Sequence, residues 1–182
     1  MAMTLITPPE PIVAWGELDK HLRIDGDTEE QALIEAYRDA ATAHLDGYAG
    51  IIGQAIGPQT WLLTLDAFPC GAIQLPLGPL ISVASVKYDD ENGDEQTIDS
   101  ANYYVDTVSS PGWIVPISGF SWPSTLDGIN AVRVRFQAGF SAVPKPLWAA
   151  VLLLTAHWYE NREAVTPGEM KELPMAVDRL VA

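Results

Sequence analysis

The chain has 182 residues, 48% of them apolar, and its 24 acidic residues against 10 basic ones give a formal net charge of −14. That length supports one sizeable core, or one core with a smaller satellite, and excludes two large domains. The charge argues against a monomeric DNA reader, which needs a Lys/Arg surface to displace counterions from phosphate, and against attachment to an anionic membrane.

The opening Met-Ala-Met-Thr-Leu-Ile-Thr-Pro-Pro has no basic region ahead of a long apolar run, so no signal peptide is expected. Pro8, Pro9 and Pro11 make the first dozen residues an extended arm. A short helix is predicted over Trp15–Leu22, ended by Asp25-Gly26-Asp27. Asp27 or Thr28 can cap the next helix, with Glu30 and Gln31 at the capping-box spacing. That helix should run to about Tyr48, with Leu33, Tyr37, Ala40, His44 and Tyr48 on one face.

The period then changes to two. Strands are expected over Thr60–Asp66, Ala72–Leu75, Ser82–Asp89, Gln96–Ile98, Tyr103–Val108, Trp113–Ile117 and Ala131–Phe136. Asn92-Gly93 reads as a type I′ hairpin turn, and Ser109-Ser110-Pro111-Gly112 as a second hairpin loop. Helix returns after Pro144 and Pro146. Leu147–Tyr159 is the most apolar stretch; it is too short to span a bilayer and must be largely enclosed, either by the N-terminal helix or by a neighbouring subunit. Leu173–Val181 is a short amphipathic tail.

These elements predict an α+β fold: N-terminal and C-terminal helices forming a helical bundle, with an inserted antiparallel β unit. The expected divisions are 1–57 (arm and helices), 58–140 (inserted β unit) and 141–182 (C-terminal helix and tail).

Signatures of catalysis are missing. There is no GxxxxGK[ST], GxGxxG or GxSxG. One cysteine, Cys70, excludes an intrachain disulfide and fits a reducing compartment; no His or basic residue beside it activates the thiol. His157 and Glu160 share a helix face at the i, i+3 spacing of carboxylate-bridged metal proteins, but such sites need a second copy of the motif. The run Asp89–Glu95 lacks EF-hand spacing and reads as a solvated hairpin tip. No cofactor, no metal and no enzymatic activity are expected. Trp15 and Trp122 are the tryptophans expected at the surface, so a non-catalytic carbohydrate- or protein-binding β module is the second reading. A hydrolase built on His157 and Glu160 is the third.

Several segments, in order, resemble the head–tail connector (adaptor) family of tailed phages, prophages and gene transfer agents. They are Leu18-Asp19-Lys20-His21-Leu22-Arg23-Ile24-Asp25; Gln59-Thr60-Trp61 leading to Leu65-Asp66-Ala67-Phe68-Pro69; Ile73-Gln74-Leu75-Pro76 with Pro79-Leu80; Val132–Phe140; and His157-Trp158-Tyr159-Glu160-Asn161-Arg162-Glu163. The resemblance spans about residues 13–182. It implies a structural subunit of a ring, a dodecamer in the family, that sits beneath the portal protein in the virion after assembly in the host cytoplasm. A stopper or tail-completion protein would bind the opposite end, and DNA would pass through the channel without specific binding. It also implies that the tail engages the portal, which makes Leu173, Pro174, Met175, Val177, Leu180 and Val181 the portal-binding candidates. Trp148, Trp158, Tyr159 and Arg162 are the subunit-interface candidates; Asn161 and Arg162 can equally cap their own helix. The acidic balance suits a channel that avoids strong phosphate binding.

Overall fold

In the computed structural model, residues 1–162 and Leu180 are described. The architecture is mixed α+β. The chain divides into two units: Met1–Pro9 with Gly57–Ser141, and Glu10–Ile56 with the chain from Ala142 onward.

The first unit contains two antiparallel sheets. Strands β1 (Ala2–Thr7), β2 (Gln59–Leu65), β3 (Ile73–Leu75), β4 (Leu80–Asp89), β5 (Glu95–Thr97), β6 (Tyr103–Asp106), β7 (Gly112–Pro116) and β8 (Val132–Ala138) follow in chain order. One sheet has the order β1-β2-β8-β4-β5 and the other β3-β7-β6. Alternation builds the core. In β8, Val132, Val134 and Phe136 are buried, while Arg133, Arg135 and Gln137 face outward to differing degrees. In β2, Trp61 and Leu63 are buried on the same principle. The uneven alternation of β4 has a physical cause: its pairing with β8 shifts register between Leu80 and Ser82 and again between Val83 and Ser85. An extra residue at each shift breaks the period of two.

Two expectations change here. The first residues, placed with the helices as an extended arm, pair along β2 from Ala2↔Thr64 to Thr7↔Thr60 and belong to the β unit. The Asn92-Gly93 turn is not type I′, because of the two residues only Gly93 has positive φ, at 86°. Gly93 N–H donates to Asp90 O at 2.8 Å and Asp90 N–H to Asp94 O at 3.0 Å. This is the longer loop in which a four-residue turn is followed by a left-handed glycine.

The second unit holds α1 (Trp15–Leu22), α2 (Gln31–Leu45) and α3 (Lys145–Glu160). Their shared apolar cluster includes Val13, Leu18, Ile34, Leu45, Val151 and Leu154. α1 starts where Glu17 accepts from Ala14 N–H at 3.1 Å. It stops where Arg23, Asp25 and Gly26 enter the left-handed region. α2 begins without the expected capping box. Asp27 Oδ1 instead accepts from Glu29 N–H at 2.9 Å, and Gln31 pairs with Glu35 one turn on at 3.1 Å. α2 also ends at Leu45, before Tyr48, because Asp46 is already extended and its carboxylate accepts from Ile56 N–H at 2.6 Å.

The buried face of α2 is displaced by one residue from the expected one. Ile34, Arg38, Ala41 and Leu45 are buried, whereas Leu33 and Tyr48 are 39% and 53% exposed. Both stripes have helical spacing. The inner one includes Arg38, whose guanidinium donates to Val13 O at 3.4 Å and to Asp39 at 2.8 Å. A buried arginine held by hydrogen bonds is invisible to a purely apolar periodicity.

Gly139, just beyond β8, has φ 126°, and a Cβ there would stand 2.0 Å from Gly57 O. Both facts require glycine. Gly139→Ala is expected to cost about 2–4 kcal/mol in urea unfolding, while Gly128→Ala, with open space around it, should stay within about 0.5 kcal/mol.

Candidate assembly surfaces

The C-terminal turn of α3 gathers three of the four interface candidates. Tyr159 Oη donates to Glu30 Oε2, the same oxygen that accepts from Arg162 at 2.9 Å. Arg162 lies 4.5 Å from the Tyr159 ring centroid, a cation–π arrangement. Trp158 meets the His44 ring edge-on at 5.9 Å. The fourth candidate, Trp148, stands at the other end of α3. Its indole N–H donates to Glu17 at 3.3 Å, and Lys145 lies 5.5 Å from its ring.

Glu30 is the residue that sequence reasoning misassigned. Its capping-box spacing is real, yet its carboxylate leaves α2 to meet a helix 129 residues further along the chain. Hydrogen bonds from Arg162 and then Tyr159 hold the Glu30 carboxyl below the usual glutamate range. The accepted bond in turn holds the Tyr159 phenol above its ordinary value. Asn161 and Arg162 also cap their own helix: Asn161 Nδ2 donates to His157 O at 2.8 Å and Arg162 Nε to Tyr159 O at 3.2 Å.

Between Leu147 and Tyr159 every residue of α3 is buried or half-buried. Ala150, Val151, Leu152, Leu154 and Thr155 are buried, while Leu147, Trp148, Leu153 and Trp158 are half-buried. Of the portal-binding candidates, Leu180 is half-buried against the helical cluster of its own unit. Leu173, Pro174, Met175, Val177 and Val181 lie outside the described residues.

In the β unit, an open cavity of about 360 Å³ is lined by Phe68, Pro69, Cys70, Phe120 and Trp122, among others. Trp122, expected at the surface, is half-buried. It stacks on Phe68 at 4.9 Å and 6° between planes, and its indole N–H donates to Gly71 O at 2.7 Å. Trp15 is likewise half-buried, packed on the helical cluster.

The acidic hairpin is tied internally. Asp90 Oδ1 accepts from Asn92 N–H at 2.9 Å and Asp94 N–H at 3.1 Å. Arg133 binds Asp89 at 2.5 and 2.8 Å, and holds that carboxyl below its ordinary range. Lys87, at 2.6 Å, is the larger influence lowering Glu95. Among the described residues no three His, Cys, Asp or Glu side chains gather as a metal site, and no helix is long and apolar enough to cross a membrane.

No family model and no curated protein matches the chain. Solved structures do. A chain from the neck of an empty GTA particle, computed with C6 symmetry, is 26% identical, with TM-score 0.80, over 100% of this chain and 93% of that one. The chain resembles the neck proteins of gene transfer agent particles. A chain from the virion of a native gene transfer agent (GTA) particle is 25% identical, with TM-score 0.78 and the same coverage. A third, from the neck of a native GTA particle computed with C12 symmetry, shares the fold at 23% identity and TM-score 0.67. The connector resemblance carried by the sequence motifs thus extends over the whole fold.

Two outcomes follow for this connector-like chain. Glu30→Gln should lower thermal stability at neutral pH. Because the folded-state value of Glu30 is depressed, its contribution is present above the unfolded value of about 4.3 and is lost as pH falls through the lower folded value. Wild type and variant should therefore converge in acid-side melting curves. Trp122→Ala should cost the β unit about 2 kcal/mol by loss of the stacked pair, read by urea unfolding.

Proposed function

We propose that the chain is a structural, non-catalytic head–tail connector: an adaptor that assembles as a ring beneath the portal, extends the DNA channel and joins capsid to tail. The observation that carries this reading is the whole-length match to a gene transfer agent neck at TM-score 0.80. The C6 and C12 symmetries of the matched necks support a cyclic oligomer, and a dodecamer is the form proposed here. In this reading the three helices act as a bundle into which the β unit is inserted. The parts of Trp148, Trp158, Tyr159 and Arg162 that the unit's own helices leave uncovered face a ring neighbour. The residues Leu173, Pro174, Met175, Val177, Leu180 and Val181 dock on the portal, and a stopper or tail-completion protein binds the other end.

Two physical features support the assignment. The half-buried apolar side chains Leu147, Trp148, Leu153 and Trp158 of α3 suit a subunit that completes its burial by assembly. A net charge of −14 suits a conduit through which phosphate must slide without binding.

The test is co-purification with the portal protein encoded in the same genome. The full chain should be retained, and removal of residues 173–182 should reduce retention at least tenfold. Failure of the full chain to bind would overturn the adaptor reading. Retention of the shortened chain at wild-type levels would overturn only the docking role of the tail.

A further inference from the structure

The two edges of the five-stranded sheet are built differently. The β5 edge is three residues long and is entered through the acidic turn. Lys87 and Arg133 both bridge to Glu95, at 2.6 and 3.1 Å. Short, charged edges refuse a further strand. The opposite edge, β1, is six residues long and contains no charged residue. Leu5 and Ile6 are 42% and 43% exposed. Five of the six β1 residues are exposed and the sixth is only half-buried, so the strand is held by its ladder to β2 rather than by core packing. Natural sheets guard such an edge or pair it.

A second uncharged edge lies across the sheet. β4 pairs with β5 only through Lys87–Asp89. Leu80 is buried against Gly112 of β7, and the stretch after it, Ile81–Ser85, has no ladder partner on the side away from β8 among the described residues. That stretch also carries no charge, and Ile81, Ser82 and Ala84 are exposed.

We propose that β1 of one copy adds to the free β4 edge of the next copy, so that neighbours in the ring are joined through their sheets. The proposal rests on the ring reading given above. Copies that each carry a net charge of −14 repel, and they approach best where neither surface is charged. The two edges are different patches on opposite sides of one sheet. Their contact is therefore heterologous, the kind that closes into a ring when the rotation allows, as in the cyclic necks this chain resembles.

The full chain, co-expressed with the portal of its own genome, is scored for rings by native mass spectrometry and electron microscopy. Thr4→Lys and Ser82→Glu place a charge on exposed positions of the two edges. Each alone should reduce rings at least tenfold while the circular dichroism of the subunit stays unchanged. The double variant T4K/S82E should recover them, since opposite charges then meet across the joint. Amide exchange on the wild-type protein supplies a readout independent of any variant: β1 amides facing away from β2 should slow more than tenfold on assembly. Rings from either single variant at wild-type yield, no recovery in the double variant, or unchanged β1 exchange would each overturn the edge contact while leaving the ring reading intact. Absence of rings from the wild-type chain would overturn the ring reading and the contact together.

Discussion

Burial of α3 is the interaction on which the helical unit depends. The helix is apolar on most of its circumference, so water is a poor neighbour for it on any side. Its cover comes from α1 and α2, more than a hundred residues earlier in the chain. The apolar cluster supplies the bulk of that attraction, and Glu30 with Tyr159 and Arg162 adds direction at one end. Because that polar cluster is exposed to solvent, its energetic weight is small; its value lies in fixing which turn of α3 meets the start of α2.

The β unit solves a different problem. Its core is made by alternation, with small register shifts in β4 absorbing the misfit between sequence and pleat. Its surface is divided between guarded and unguarded regions. Charged residues are concentrated at the β4–β5 hairpin, where each carboxylate named above has a donor within the unit. The aromatic stack around Trp122 lines the open cavity on another surface, with the indole N–H bonded to the backbone. That bond and the Phe68 stack hold Trp122 in place as part of the cavity wall.

Much of this was legible in the sequence, and the exceptions share a cause. α1 and the strand positions follow from local period and turn chemistry, which are properties of neighbouring residues. The face of α2 does not. Leu33 and Ile34 are adjacent and both apolar, so periodicity offers two stripes, and the choice is made by Val13 and α3 far away in sequence. Glu30 failed the same way: its local partner was plausible, but a distant tyrosine and arginine offered better hydrogen bonds. The β1 strand reads locally as an arm because its partner, β2, lies more than fifty residues downstream and three nearby prolines dominate its local signal. The candidate assembly residues were nameable from motifs, whereas their engagement with Glu17, His44 and Glu30 required the fold.

The order in which these elements leave the ribosome follows from the same layout. By the time Ser141 is made, every strand of the β unit exists, while the helices made before it still lack α3. Translation therefore delivers a finished sheet domain tethered to an unfinished helical one, and the pairing of distant segments carries the loop-closure cost that slows folding. Until α3 arrives, Ile34 and Leu45 have no partner from that helix. The unit that matures last is then the helical one, whose apolar cluster is completed only by the last helix made.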